Sequence, residues 1–172
     1  MSLIVEDGTG LADANSFASV AEADAYHAGH LYASTWTAAV TGTKEKALMM
    51  ATRILDSAAK WVGRRTFPET QALGWPRELA YLDGTLLAEN AVPMPVKNAT
   101  AELARLLIGE DLTADPAQNG IKSLDLGKGA LVIEFREDVK KKQIPTMVST
   151  LLMGLGTLPN PGGITQRQIY RA

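Results

Sequence analysis

The stretch TKEKALMMATRILDSAAKWV, Thr43 to Val62, decides the fold. Within it Ala47, Leu48, Ala51, Ile54, Leu55, Ala58 and Trp61 recur three or four residues apart, which lays a single apolar stripe along one side of a helix. The spacing predicts an amphipathic helix over the whole stretch, stopped by Gly63. Upstream, Ser19 with Glu22 three residues on is a capping-box pattern, and it predicts a short helix from Ser19 to Gly29 with Val20, Ala23 and His27 on one face. Downstream, Pro93 or Pro95 in a first turn, followed by Val96, Ala99, Leu103, Leu106 and Leu107, predicts a third helix ending by Asp111. Met147, Val148, Leu151, Leu152 and Leu155 predict a fourth over Pro145 to Leu155, loosened by Gly154 and Gly156.

The connections carry their own signals. Arg64 to Val92 is rich in Pro, Gly and turn residues but holds Leu73, Trp75, Leu79, Tyr81 and Leu82, so it reads as an ordered loop anchored to the core. Apolar runs at Ile121 to Leu126 and Ala130 to Phe135 flank Gly127-Lys128-Gly129 and predict a β-hairpin at 121–135. From Thr157 onward, Pro159, Pro161, Gly162 and Gly163 forbid a helix and predict an extended arm. The expected architecture is mainly α: a small helical bundle, residues 1–156, with a long ordered loop and a short hairpin, and an extended C-terminal arm at 157–172.

Composition narrows the chemistry. The chain has 172 residues, 46% hydrophobic and 21% charged, within the range of globular domains. It contains no cysteine, which removes disulfides, thiolate nucleophiles and cysteine-ligated metals. No apolar run is long enough to cross a bilayer. Met1 to Gly10 lacks the basic flank and apolar stretch of a secretory signal, so the cytoplasm is the expected site of synthesis and residence. The net charge is −2. No Lys or Arg precedes Lys44, while Glu6, Asp7, Asp13, Glu22 and Asp24 do, which predicts an acidic surface on the N-terminal quarter. Only Lys140 to Lys142 form a basic cluster. Glu134, Glu137 and Asp138 adjoin it, so a solvated mixed-charge surface competes with a nucleic-acid contact there.

No catalytic centre emerges. Asp24, His27 and His30 lie three apart and could in principle meet a divalent metal, but no further ligand accompanies them and ordinary histidines are the better reading. Gly8/Gly10, Gly127/Gly129 and Gly162/Gly163 lack the residues that complete a phosphate loop and read as turns. Trp36, Trp61 and Trp75 could stack bases, yet Trp61 falls on the apolar stripe and Trp75 precedes Pro76, which favours core positions. The expectation is a non-enzymatic protein without metal or cofactor.

The run Asp13-Ala14-Asn15-Ser16-Phe17-Ala18-Ser19, then Glu22-Ala23-Asp24 and Tyr26, resembles a family of tailed-bacteriophage neck proteins, and Phe17 stands where that family would have Tyr. Ala47-Leu48, Ala51-Thr52, Leu55-Asp56, Trp61, Gly63, Arg65, Gln71 to Arg77, Asp83-Gly84, Val92-Pro93, Ala99 and Glu102-Leu103-Ala104 are similar to the same family. Its members are often labelled DnaT-like single-stranded-DNA-binding and are similar to head-to-tail adaptor, or head-completion, proteins. The match runs from about Asn15 to Ala104, and Leu73, Trp75, Pro76 and Arg77 are its most specific motif, with a structural role.

The resemblance implies a virion protein of the neck, assembled in the bacterial host cytoplasm as a homo-oligomeric ring, normally twelvefold. Such a ring sits between the portal protein and a tail or neck protein, with double-stranded DNA passing non-specifically through its centre. Lys140, Lys141 and Lys142 are then candidate channel contacts. The arm is the candidate portal-docking element: Ile164, Gln166 and Tyr170 fall on one side of an extended strand, Arg167 and Ile169 on the other. The alternative is a replication protein that binds single-stranded DNA. Slight net acidity and core-like aromatics count against it.

Overall fold

A computed structural model describes residues 2–113, 123–125, 132–134 and 144–158. Its core lies where α3 (Thr41–Ala58) and α4 (Met94–Gly109) pack together, with α1 (Val20–Ala28), α2 (Ser34–Thr37) and α5 (Thr146–Leu151) also against α4. Phe17, Trp36, Leu48, Leu55, Trp75, Val96, Leu103, Val148 and Leu155 are fully buried in one cluster.

The expected capping box is present at α1. Ser19 Oγ accepts from Glu22 N at 3.2 Å, and Glu22 Oε2 accepts from Ser19 N at 2.7 Å, which satisfies two amides that the first helical turn leaves over. Ala23 and His27 face the core as predicted. The third predicted helix corresponds to α4, with Pro93 as its N-cap and Pro95 in the first turn. The short α2 was not predicted. It carries buried Trp36 but is too short to show a period.

Three expectations need correction. The helix predicted over Thr43 to Val62 starts two residues earlier, at Thr41, and stops at Ala58. Ala59 is extended, and Lys60–Trp61 (β1) pairs antiparallel with Gly156–Thr157 (β8), giving the backbone a ladder partner in place of another helical turn. Trp61 therefore reaches the core from a strand, edge-on to Phe17 and Trp75 at 6.0 Å each. Gly63 is not a helix stop but the bend after β1. Its φ is +67°, and a Cβ there would lie 2.4 Å from the Glu78 carbonyl oxygen.

Secondly, the long loop is built from ribbons, so the chain is a helical core with β-ribbons rather than a plain bundle. Arg64–Arg65 (β2) pairs with Arg77–Glu78 (β3), and Tyr81–Leu82 (β4) with Thr85–Leu86 (β5). Asp83 and Gly84 both have positive φ, +50° and +78°, the type I′ geometry that matches the twist of a two-residue hairpin. Thirdly, α5 ends at Leu151, and Leu152 to Leu155 form a turn in which Gly154 has φ +85°. Thr157, the expected first residue of the arm, is held by the β1–β8 ribbon.

Within the expected hairpin, Ser123–Asp125 (β6) and Val132–Glu134 (β7) pair antiparallel. Its Gly127 to Gly129 turn, the Lys140 to Lys142 cluster, and the arm residues Ile164, Gln166, Arg167, Ile169 and Tyr170 lie outside the described residues.

Candidate functional site

The specific motif is folded inward. Leu73, Gly74, Trp75 and Pro76 are buried and Arg77 is half-buried. Asp56, from the last full turn of α3, accepts from Gly74 N at 2.9 Å and from Trp61 Nε1 at 3.0 Å, tying the loop to the helix. Arg77 spreads its guanidinium over three carbonyls, those of Val62, Gly63 and Gly74. Gln71, also buried, donates to the carbonyls of Leu73 and Pro76 and accepts from Phe67 N. The Gln71 and Arg77 side chains are thus engaged in holding the loop, while the Trp75 indole N–H is buried without a partner among the described residues.

The N-terminal acidic surface is not what charge counting suggests. Glu6 is buried, and its carboxylate accepts from the amides of Gly8, Gly10 and Leu11 at 2.9 to 3.0 Å. The amides that a phosphate would need at Gly8 and Gly10 are thus taken by the protein's own carboxylate. Glu22 pairs with Lys97 at 2.6 Å and Asp24 with Lys44 at 2.8 Å. The Lys44 ammonium, with the Trp36 indole N–H, holds Asp24 below the usual carboxylate range. Burial pushes Glu22 up, but Lys97 and the Ser19 cap outweigh it.

Asp24, His27 and His30 do not converge on a metal. Asp24 accepts from Trp36 Nε1 at 2.7 Å, His27 Nε2 lies 3.1 Å from the Ala101 carbonyl, and His30 Nδ1 accepts from Tyr32 N. Among the described residues no trio of His, Asp or Glu could hold a metal ion. His27 is buried beside Trp36, and burial lowers its pKa from the ordinary value. Buried Glu102 stands between Arg105, its ion-pair partner, and His30.

The tryptophans offer no stacking platform. Trp36 and Trp75 have no exposed surface, and Trp61 is half-buried between aromatic neighbours. An open groove of about 680 Å³ runs instead along the outer face of α3. Met49, Met50 and Leu73 line it, with Lys46, Arg53, Asp56 and Ser57 from the helix and Ala14 and Asn15 from the N-terminal segment. Lys46 and Arg53 are exposed and have no carboxylate partner among the described residues. This groove was missed in the sequence, although two cations seven residues apart on the outer side of an amphipathic helix were a readable signal.

A family model matches residues 1–172 of this chain, under the description "Putative DnaT-like ssDNA binding protein". The chain belongs to that DnaT-like family. The match extends beyond the span from Asn15 to Ala104 over which the resemblance was legible, and its description names no phage connector. No curated protein and no solved structure matches this DnaT-like chain.

Proposed function

We propose that this DnaT-like chain is a non-catalytic assembly subunit of a tailed phage, a ring-forming adaptor between the portal and the tail through which DNA passes. One observation carries the reading: the Trp36 and Trp75 rings are kept wholly inside, while large aliphatic side chains and two tyrosines are displayed outside. Leu31, Tyr32 and Val40 are each more than 70% exposed, and Leu79, Tyr81 and Leu86 project from the β3–β5 ribbons. Apolar groups set in a polar surround favour a protein partner over a nucleic-acid strand. The C-terminal arm would add a further docking segment for the portal through Ile164, Gln166, Arg167, Ile169 and Tyr170.

The second reading is single-stranded DNA binding, and the family description favours it directly. The two separate by experiment. The adaptor predicts co-assembly with the portal of the same phage and weak, salt-labile DNA affinity. Tight binding of single-stranded DNA at physiological salt, without any association with the portal, makes the second reading the right one.

A further inference from the structure

We infer that the α3 groove is a nucleic-acid backbone site in which Lys46 and Arg53 contact phosphates. Across the other described faces, lysines and arginines are neutralised or spent: Lys44 on Asp24, Arg64 on Glu78, Lys97 on Glu22, Arg105 on Glu102 and Arg77 on three carbonyls. Among the described residues, the cations with neither a carboxylate nor a carbonyl partner are Lys46, Arg53, Lys60 and Arg65. They all fall on α3 or on the strands that leave it, and the first two line one groove.

The groove suits a polyanion with a hydrophobic flank. Seven helical residues separate Lys46 from Arg53 by about 10 Å along the axis. That is the axial rise of about three phosphates of one duplex strand, at roughly 3.4 Å each. Met49 and Met50 offer an apolar surface for sugars or base edges, no aromatic ring lines the groove to stack on, and the Asn15, Thr52 and Ser57 side chains in the lining are already bonded to the protein's own backbone rather than set to read sequence. Asp56 is the one acidic residue in the lining, and its Oδ1 is already occupied by Trp61 and Gly74. Such a site holds a backbone loosely and without sequence preference. It serves either reading of function, a channel wall for duplex DNA or a track for a single strand, and it does not depend on the ring.

The test is the salt dependence of binding of the full chain to a labelled single-stranded oligonucleotide and to a duplex of the same length. Lys46→Ala/Arg53→Ala is compared with Lys97→Ala/Arg64→Ala, which changes net charge equally on paired cations, and thermal melting checks that each variant is folded. Loss of two phosphate contacts lowers the slope of log K against log salt by about 1.4 for a single strand or about 1.8 for a duplex. The site predicts that drop for the groove variant only, and the larger affinity of the two DNA forms identifies the ligand. Equal losses in both variants, no salt-dependent binding by the unaltered chain, or competition by poly-glutamate as strong as by DNA would each overturn it. Portal co-assembly is scored separately, so a failed groove leaves the adaptor reading standing, and the reverse.

Discussion

Glu6 shows how one side chain can replace a loop's missing partners. Three amides converge on its buried carboxylate, and a neutral amide in its place would point an N–H at another N–H. Glu6→Gln should therefore cost about 1 to 3 kcal/mol, measured by denaturant unfolding. An unchanged unfolding midpoint would mean that these hydrogen bonds carry no net stability. Trp75, wholly buried in the aromatic cluster, should cost about 3 to 5 kcal/mol on replacement by Ala. His27 sets a pH window. Burial holds its folded pKa below the value of about 6.5 that the unfolded chain has, so the unfolded state takes up the proton first. Its stabilising contribution is complete above that pH and is lost as pH falls toward the folded pKa. Asp24 and Glu22, held low by their lysines, give up theirs only in the acid range below about 4. The melting temperature should fall between pH 7 and pH 5.5, and His27→Leu should flatten that fall. A slope that survives the substitution would assign it to another group.

At the scale of elements, what was legible followed from local chemistry, and what was hidden followed from distant pairing. The Ser19–Glu22 cap and the prolines before α4 act within one helical turn, so their helices could be read from the sequence. The end of α3 could not. Ala59 to Trp61 continue a helical apolar spacing, but the ladder to Gly156–Thr157, nearly a hundred residues away, offers that backbone other partners. Asp83-Gly84 was a readable hairpin turn, obscured because its strands are only two residues each and show no alternation. In the site, the inward set of Trp75 was anticipated from Pro76. The roles of Glu6 and Asp56 were hidden because composition treats every carboxylate as surface. Arg77 binds the motif as a fork over three carbonyls, and a lysine is a point charge that cannot reproduce it. Arg77→Lys should lower stability by about 1 to 3 kcal/mol and loosen the β2–β3 ribbon, seen as faster amide exchange at Arg64 and Thr66. Exchange rates that stay unchanged would show that the ribbon does not rely on the fork.

For the whole molecule, the decisive contrast is between what the core hides and what the surface displays. Leu31 and Tyr32 follow α1, and Arg105 of α4 holds the Tyr32 carbonyl, so these exposed side chains sit on a fixed backbone. Leu31→Glu with Tyr32→Glu should leave stability within about 0.5 kcal/mol, since neither ring nor branch is buried, while weakening assembly. Loss of folding in that variant would place the two residues in the core instead. The most direct test of the proposed adaptor role is electron microscopy of the full chain co-expressed with its proposed partner, a tailed-phage portal protein. The account predicts a closed ring of this chain seated on the portal, with DNA-length density on its axis when packaged heads are imaged. Portal rings bare of this chain, beside a chain that stays apart and coats single-stranded DNA at physiological salt, would contradict it.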